Sequence, residues 1–330
     1  MSVPYLQNIM MVQDYIIAKL DELKKPSDLV MPPPNQLESK IVRLILSKKF
    51  RKYAANDDLI AHVKKVVHLS VGNNKPISFT FLHGAYKLWR LEESPEIDWA
   101  ELFALLYYSK WLKPICEIYK PGVWFDFFVD DIVMEKLNNL DRSEVLTYIK
   151  SYQAVIDFLK PYQPENLAMT ITPVSSQFKT ESDLWQSIEK NLAQLNEKGL
   201  PVLTDSQRAM VELNVRPTAE QLKDSSWREK VYQFHNAYMI TKGEPGYHKE
   251  RPDKILVFTQ PLPPGTTISV GTTKNSIMKF WIGVGALKPK NDSFEITILS
   301  QNQLAKTKYK FEPISIKNLV GKNFAKIRIV

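Results

Sequence analysis

Two short apolar segments at 77–82 and 123–129 flank a long helical pattern, and this arrangement constrains the fold more than any other stretch of the chain. Both segments are rich in β-branched and aromatic residues, as buried strands are. Between them, apolar residues recur at helical spacing over 100–118, and Asp98 with Glu101 has the spacing of a capping box. We therefore predict a strand–helix–strand unit with parallel strands and a right-handed crossover.

Further elements extend this unit along the chain. A helix capped by Asp141 or Ser143 is predicted to run to about Leu159, and a third strand is predicted over 166–172. The alternation of strands and helices is typical of a parallel sheet. The predicted fold class is therefore α/β, with a Rossmann-like parallel or mixed sheet flanked by helices.

The first part of the chain differs from its centre. Residues 1–70 are predicted to form a helical N-terminal lobe, with helices at 3–24, 36–48 and 57–67 and a stiff run of three prolines between the first two. Residues 71–330 are then predicted to be the α/β catalytic domain.

The second half of that domain continues with helices and ends in strands. A helical pattern over 182–215 is interrupted at 199–201, and Pro217 is predicted to open a helix that runs towards Ile240. From about residue 250, strand-like segments follow one another at short intervals and predict an antiparallel C-terminal extension of the sheet or a small β subdomain. These segments are 254–259, 267–270, 277–284, 294–298 and 325–329.

Composition narrows the functional classes. The 330-residue chain has a formal charge of +8, but its basic residues are scattered, so a generally basic surface is favoured over a nucleic-acid interface. The single cysteine, Cys116, falls within a helical pattern and is expected to be a small buried residue.

The sequence lacks the glycine-rich nucleotide loops and the metal-binding helix motifs, so we predict neither cofactor nor metal. It also lacks a signal-peptide pattern and a membrane-spanning run, which predicts a cytoplasmic protein.

Polar side chains follow the two central predicted strands. His83, Tyr86 and Lys87 come after the first strand, and Asp130 and Asp131 come after the second. Ligands of open α/β sheets bind beyond the carboxyl ends of the strands, so these residues are predicted to face one crevice. Lys87 suits a phosphate ligand or an amine with a lowered pKa, although a surface lysine is an equal alternative. Adjacent carboxylates in extended chain point to opposite faces, so one is expected in the crevice and the other is expected to cap the next segment.

A polar loop between two predicted strands is a second candidate site. It contains Thr272, Thr273 and Lys274, whose hydroxyls and ammonium, with backbone N–H groups, are suited to hold a phosphate. A polar hairpin turn is the alternative interpretation.

One helix face is a third candidate. Arg228, Tyr232 and His235 lie four and three residues apart, so they share a face of the predicted helix. Aromatic helix faces more often belong to the core, and the charged members only slightly favour a substrate-binding role.

The central segment resembles the isocyanide (isonitrile) synthase family, which includes the paerucumarin-type bacterial enzymes and the fungal dityrosine spore-wall enzymes. The family pattern is an apolar strand, a loop with a lysine, an acidic helix start, Tyr-x-Pro-Gly, a second strand and Ser-Asp-Gly. The resemblance is best over 76–160 and weaker over 250–287. The corresponding residues here are 77–82, Lys87, Trp99 to Glu101, Tyr119 to Gly122, 123–129 and Asp130, with Arg251 to Asp253 and Lys279 in the later part.

The sequence departs from the family pattern at three places. Val129, Asp130 and Asp131 replace Ser-Asp-Gly, and His83 with Gly84 stands where the family has an apolar, proline-containing loop. The late histidine motif of the family is missing, and residues 269–273 occupy its region. The resemblance therefore supports the fold more strongly than it supports identical chemistry.

The resemblance implies an enzyme that converts the α-amine of an amino acid into an isocyanide, with ribulose 5-phosphate supplying the carbon and without a metal. It matches Lys87 and Asp130 to the lysine and aspartate of the family, and we add His83 as a proton shuttle near neutral pH. The predicted partners are small molecules, an amino acid and a phosphosugar. The alternatives are another small-molecule enzyme on the same scaffold and a basic nucleic-acid-binding protein. The predicted substrate- and phosphate-binding residues are Tyr86, Asp131, Arg228, His235, Thr272, Thr273, Lys274 and Lys279.

Overall fold

The computed structural model of the chain describes residues 11–84, 94–243, 253–258, 266–270, 283–319 and 321–330. Its centre is a five-stranded sheet in the order β3-β2-β1-β4-β5, and every neighbouring pair is parallel. The strands are β1 (Ile77–His83), β2 (Val123–Val129), β3 (Leu167–Pro173), β4 (Lys254–Phe258) and β5 (Thr267–Ser269). The predicted α/β class is confirmed.

Ten helices are described. They are α1 (Val12–Asp21), α2 (Leu37–Ile45), α3 (Asp57–Gly72), α4 (Trp99–Ile118), α5 (Met134–Asn138), α6 (Arg142–Leu159), α7 (Glu181–Asn196), α8 (Asp205–Asn214), α9 (Trp227–Gly243) and α10 (Gln301–Lys306). The capping box predicted for α4 is present at Asp98 with Glu101. Of the two predicted caps of α6, Asp141 is the one that caps it, and Glu144 completes a capping box there. Each satisfies backbone N–H groups that the first helical turn leaves without partners.

The strand–helix–strand unit carries the main hydrophobic core. Phe79 and Phe81 of β1 and Phe125 and Phe127 of β2 are fully buried on one sheet face. Tyr108 of α4 contacts three of these rings, at centroid distances of 4.9 to 5.8 Å. Burying an aromatic side chain of this size contributes roughly 2–3 kcal/mol, so this face is a large share of the stability of the fold.

The Tyr-x-Pro-Gly motif is a structural turn between α4 and β2. Gly122 has a φ of 74°, which a residue with a side chain rarely adopts, and its amide donates to the carbonyl of Tyr119 at 2.9 Å. Asn166 donates from its side-chain amide to the carbonyls of Cys116, Tyr119 and Lys120 at the end of α4. This motif therefore ends a helix and starts a strand.

Cys116 lies beside this turn and is buried, as predicted. Burial raises the pKa of its thiol to about 12. The thiol is consequently neutral at physiological pH and is not a nucleophile.

The C-terminal part forms a second, mixed sheet in the order β7-β6-β9-β8. A Cβ on Gly285 of β6 would overlap the backbone at Trp99 and Ala100, so this sheet packs directly on the start of α4. Its strands are β6 (Val284–Lys290), β7 (Ser293–Leu299), β8 (Lys310–Pro313) and β9 (Lys326–Ile329).

Two expectations for the second half of the chain are wrong. The segments at 254–259 and 267–270 were assigned to the antiparallel part, but they form β4 and β5 of the parallel sheet. One edge of β1 pairs with β2, and the backbone groups of its second edge form hydrogen bonds with β4 in parallel register. The predicted strand over 277–284 lies outside the described residues except at its end.

The helix predicted from Pro217 is also wrong, because α9 starts at Trp227. The side chains of Thr218 and Gln221 cap only one short turn. Asp224 then accepts from the amide of Ser226 at 2.9 Å and starts the helix anew. An Asx-type hydrogen bond of this kind competes with helix continuation.

The N-terminal helices α1 to α3 share the main hydrophobic core with the parallel sheet. Arg51 forms an isolated antiparallel β-bridge with Val270, next to β5. The amide of Lys52 donates to the carbonyl of Ser269 at 2.8 Å. The domain division at residue 70 stays a prediction. Among the described residues, no helix is both long enough and apolar enough to cross a membrane.

The turn at Gly122 generates a prediction about stability. The substitution Gly122→Ala is expected to lower the free energy of unfolding by about 3 kcal/mol, because the left-handed backbone costs ~1–2 kcal/mol and overpacking adds ~1–3 kcal/mol. The added Cβ would overlap the carbonyl of Asn166. Urea denaturation monitored by tryptophan fluorescence measures the change.

Gly199 provides the matched control. Its φ is 82°, but a Cβ there would meet no atom within 4 Å. Gly199→Ala is therefore expected to show only the backbone cost, about 1–2 kcal/mol. Equal losses in the two variants would contradict the role assigned to the contact with Asn166.

Candidate functional site

The carboxyl ends of the five parallel strands lie at one edge of the sheet, as the ladders require. Asp130 follows β2 directly, and its amide donates to the carbonyl of His83 at 3.0 Å. This is the position where ligands of open α/β sheets bind. The two central strands therefore bring a carboxylate and an imidazole to the same edge.

The carboxylate of Asp130 is held by two groups of α9. The Tyr238 hydroxyl and the Lys242 ammonium both donate to its Oδ1 at 2.5 Å. The Lys242 side chain is only 3% exposed and that of Asp130 is 16% exposed, so the ion pair is nearly buried. The ammonium also lies 5.3 Å from the ring centroid of Phe128, on the same sheet face as Asp130. These contacts attach the last turn of α9 to the end of β2.

His235 shares the face of α9 with Tyr238 and Lys242, since the three are spaced by three and four residues. Burial lowers the pKa of His235, Lys242 lowers it further, and Asp130 opposes both effects. Its Nδ1 is buried and has no hydrogen-bond partner among the described residues. Burial, with Asp130 adding to it, raises the pKa of Tyr238 well above its ordinary value. The site thus combines a neutral imidazole, a neutral phenol and an ion pair.

A small cavity of about 50 Å³ adjoins His235. It lies between α5, α8 and α9 and is mostly apolar. Its lining consists of Leu137, Asn138, Met210, Val211, Asn214, Val215, Val231, Tyr232 and His235.

His83 lies on the opposite face of the sheet from Asp130. It is in register with Val129 of β2, so its side chain points away from the face that carries Phe128 and Asp130. It is 1% exposed, and its Nε2 lies 2.9 Å from the hydroxyl of Tyr148. The structure places the two side chains at one edge but does not bring them together.

A buried hydrogen-bonded chain leads from His83 back to the start of α4. The Tyr148 hydroxyl donates to Oε1 of Glu101 at 3.0 Å, and Oε2 of Glu101 accepts from the amide of Asp98 at 2.9 Å. Glu101 is fully buried. The acidic residue of the capping box therefore also supports the imidazole, through Tyr148.

Asp131 belongs to the structural connections of the sheet. Its carboxylate accepts from the amide of Ser175 at 3.1 Å and from the Ser175 hydroxyl, just after β3. Burial raises the pKa of Asp131, while the hydrogen bonds from Ser175 oppose the increase. Of the two adjacent carboxylates, Asp130 contacts α9, whereas Asp131 binds Ser175 in the segment that follows β3.

Arg228 is distant from Asp130. Its Nε donates to Glu212 at 2.7 Å, and its guanidinium lies 4.7 Å from the ring centroid of Trp227. It stands fourteen residues before Lys242 in the same helix, about 21 Å along the axis at ~1.5 Å per residue. The structure therefore separates Arg228 from the cluster that contains His235.

Six predicted site residues lie outside the described part of the chain, so their predicted roles remain untested. They are Tyr86, Lys87, Thr272, Thr273, Lys274 and Lys279. Within the part that is described, no group of three or more His, Cys, Asp or Glu side chains is placed to hold a metal ion.

Comparison with known proteins adds one result on the fold. No protein-family model and no curated protein matches the chain. A solved structure that is similar is the crystal structure of the PvcA protein from Pseudomonas aeruginosa, with a TM-score of 0.54 and 14% sequence identity. The similarity covers 89% of this chain and 99% of that one. At this identity it shows a shared α/β fold.

The sequence reasoning missed Tyr238 and Lys242 as partners of Asp130. The sequence does indicate that they share a helix face, because Tyr238 and Lys242 follow His235 with steps of three and four residues. It was not used because helical spacing does not show which strand end a helix face meets. The links from Glu101 to Tyr148 and from Tyr148 to His83 were missed for the same reason.

The electrostatics of this cluster generate a prediction. The substitution Lys242→Met is expected to raise the pKa of His235, because it removes a cation and leaves the Asp130 carboxylate in place. Asp130→Asn is expected to lower that pKa further, because the opposing anion is lost. Titration of the His235 ring protons by NMR measures both changes.

His68 is the internal control in the same spectra. It is 74% exposed on α3 and pairs with Glu38, far along the chain from this cluster. The chemical shifts of its ring protons are expected to be the same in both variants as in the unmodified protein. Movement of the two pKa values of His235 in the same direction would contradict the proposed arrangement of charges.

Proposed function

We propose that this protein is an isocyanide-synthase-like enzyme that joins the amine of an amino acid to a carbon from ribulose 5-phosphate without a metal. The observation that carries the proposal is Asp130 at the carboxyl end of β2, where its carboxylate accepts hydrogen bonds from Tyr238 and Lys242. This is the position at which the sequence resemblance matches the aspartate of the family. The α/β fold that the chain shares with the PvcA protein from Pseudomonas aeruginosa places Asp130 on a scaffold of the kind that the proposal needs.

The first step of such a reaction needs a free amine. The amine attacks the carbonyl carbon of the sugar, a C–N bond forms, and loss of water leaves an imine. A carboxylate can accept the proton that the ammonium releases, and Asp130 is the carboxylate at this edge. Tyr238 remains protonated because its pKa is raised, so its single hydroxyl proton stays in the hydrogen bond that holds the Asp130 carboxylate in place.

The remaining roles extend the predictions from sequence. Lys87 is proposed to act at the same edge, as the family lysine does by the resemblance. The loop with Thr272, Thr273 and Lys274, together with Lys279, is proposed to hold the phosphate. His83 is the last residue of β1, and its side chain is buried on the other face of the sheet. It would therefore act on the substrate only from the edge at which β1 ends.

A second candidate is another small-molecule enzyme on the same scaffold. The observation that favours it is the neutralisation of Asp130, whose Oδ1 already accepts from an ammonium and a phenol. A carboxylate held in this way is suited to orient Tyr238 and Lys242 as donors to an anionic substrate. The departures from the family pattern at His83 and Asp131 fall at the same strand ends.

The test is turnover by the full chain with ¹³C-labelled ribulose 5-phosphate and each common amino acid in turn. We expect one amino acid to gain a labelled carbon and lose two hydrogens, with the infrared band of an isocyanide. Asp130→Asn is expected to lower the rate by at least ~10²-fold, as the loss of a general base does. Mass spectrometry of the products measures both effects.

Asp157→Asn is the matched control for this assay. Asp157 is half exposed at the end of α6 and pairs with Lys160, so its amide variant is expected to retain the full rate. Absence of product, together with no thermal stabilisation by any sugar phosphate, would overturn the proposed reaction. Full activity of Asp130→Asn would overturn the role of this carboxylate.

A further inference from the structure

The last thirty residues carry most of the positive charge of the chain. Residues 301–330 contain seven Lys or Arg and one Glu, a net charge of +6, compared with +8 for the whole chain. Over the rest of the chain, acidic residues nearly balance the basic ones. The excess charge therefore belongs to one segment, which differs from the generally basic surface that the composition favours.

Two exposed aromatic rings lie inside this segment. Tyr309 and Phe311 are each 40% exposed, and with Tyr53 they are the exposed aromatic residues of the described part of the chain. Tyr309 directly precedes β8 and Phe311 lies in it two positions on, so their side chains share one face of the sheet. Their ring centroids are 5.4 Å apart. Since burial of a ring is strongly favourable, two adjacent exposed rings indicate a contact surface.

The neighbouring strand β9 places two cations against these rings. Arg328 is in register with Phe311, so the two side chains share a face. Its guanidinium lies 5.0 Å from the ring centroid of Phe311 and 5.5 Å from that of Tyr309. The ammonium of Lys326 lies 4.1 Å from the centroid of Phe311. These four residues form the aromatic–cationic patch of the C-terminal sheet.

The charge of this region is available to a partner. Lys306 and Lys308 come directly before the patch in the chain, and both are exposed, as Lys326 is. The acidic residue of the segment, Glu312, pairs with Lys310 at 2.5 Å. Among the residues that the structure describes, no carboxylate forms a salt bridge with any of the other three lysines. Their positive charge is consequently not neutralised within the described parts of the protein.

We propose that the aromatic–cationic patch binds single-stranded nucleic acid. Unpaired bases stack on aromatic side chains and on arginine planes, while lysines contact the phosphates. Aromatic residues on an exposed sheet face stack successive bases in known RNA-binding domains, and two rings suit two bases. Because every base has a π-face, such a surface accepts any sequence. This binding function does not depend on the isocyanide reaction.

The charge distribution favours this partner over two others. The strand β8 is an edge of its sheet and could pair with a second copy, but Lys308 and Lys310 oppose such pairing, and two segments of charge +6 would meet. A membrane surface needs a broader apolar area, whereas Tyr309 and Phe311 are the exposed large apolar residues described in this segment. A polyanion with π-faces matches both the charge and the rings.

Binding of a fluorescein-labelled oligo(U) of about ten nucleotides to the full chain tests the proposal. Fluorescence anisotropy is expected to show binding at low salt that weakens as salt is added. The logarithm of the binding constant is expected to fall with the logarithm of the salt concentration with a slope of about −2, since three lysines contact phosphates. No binding at low salt, or an affinity independent of salt, would overturn the proposal.

Substitutions of Tyr309 test the stacking. Tyr309→Ala is expected to weaken binding by roughly 5-fold or more, because one base loses its platform, whereas Tyr309→Phe keeps the ring and the affinity within about 2-fold. Both variants are expected to keep the unfolding temperature of the unmodified protein, which circular dichroism checks. Unchanged affinity of Tyr309→Ala would overturn the proposal.

Lys326→Met tests the electrostatic part without removing a ring. It is expected to reduce the size of the salt slope by about 0.7, because one phosphate contact is lost. Lys160→Met is the matched control, since it removes the same charge from a lysine that is 66% exposed and pairs with Asp157. The slope is expected to be unchanged in this control. Equal changes in the two variants would show that only net charge matters, and they would overturn the proposal.

Other ligands distinguish the possible partners. Oligo(dT) and oligo(U) are both expected to bind, and a preference for either supports the proposal. Binding to a duplex is expected to be unaffected by Tyr309→Ala, because its bases are already paired; an equal loss would overturn the role of stacking. Binding to phosphatidylserine vesicles that exceeds binding to oligo(U) and is lost in Tyr309→Ala would assign the patch to a membrane surface and overturn the proposal.

Discussion

Parallel pairing of β1 with both β2 and β4 is the constraint on which the rest of the structure depends. It places the carboxyl ends of five strands at one edge and requires helices on both faces, because a parallel sheet has two faces to bury. The face packed on α4 is aromatic and carries His83 at its end. The other face of β2 carries Asp126 and Asp130, which alternate with Trp124 and Phe128.

The two aspartates of the polar face have opposite electrostatic situations. Asp130 has a nearly buried lysine and a tyrosine on one oxygen, so its charge is balanced within the protein. Asp126 accepts on one oxygen from the hydroxyls of Thr170 and Thr172, and no cation among the described residues lies within salt-bridge distance of it. Breaking the first pair would leave an unbalanced charge in a nearly buried position, which is strongly destabilising.

The sequence predicted the local elements of the core well, since capping boxes and apolar periodicity act over a few residues. The capping box at Asp98 and the turn at Gly122 are both present and bracket α4 as expected. The prediction failed where pairing is decided at long range. A strand-like run such as 254–259 does not encode its direction, because parallel and antiparallel partners bury the same side chains. The helix expected from Pro217 failed because Asp224 interrupts it with a side-chain hydrogen bond.

For the candidate site, the sequence alone determined that two acidic residues follow β2 and that a histidine stands at the end of β1. Alternation along an extended chain even indicated that Asp130 and Asp131 separate. Only the tertiary structure decided that Tyr238 and Lys242, more than a hundred residues later, meet Asp130. It also decided that His83 turns to the opposite face and that Asp126 is buried beside two threonines. The reason is physical: hydrogen bonds and ion pairs depend on distances of about 3 Å, and those distances are set by how helices and strands pack.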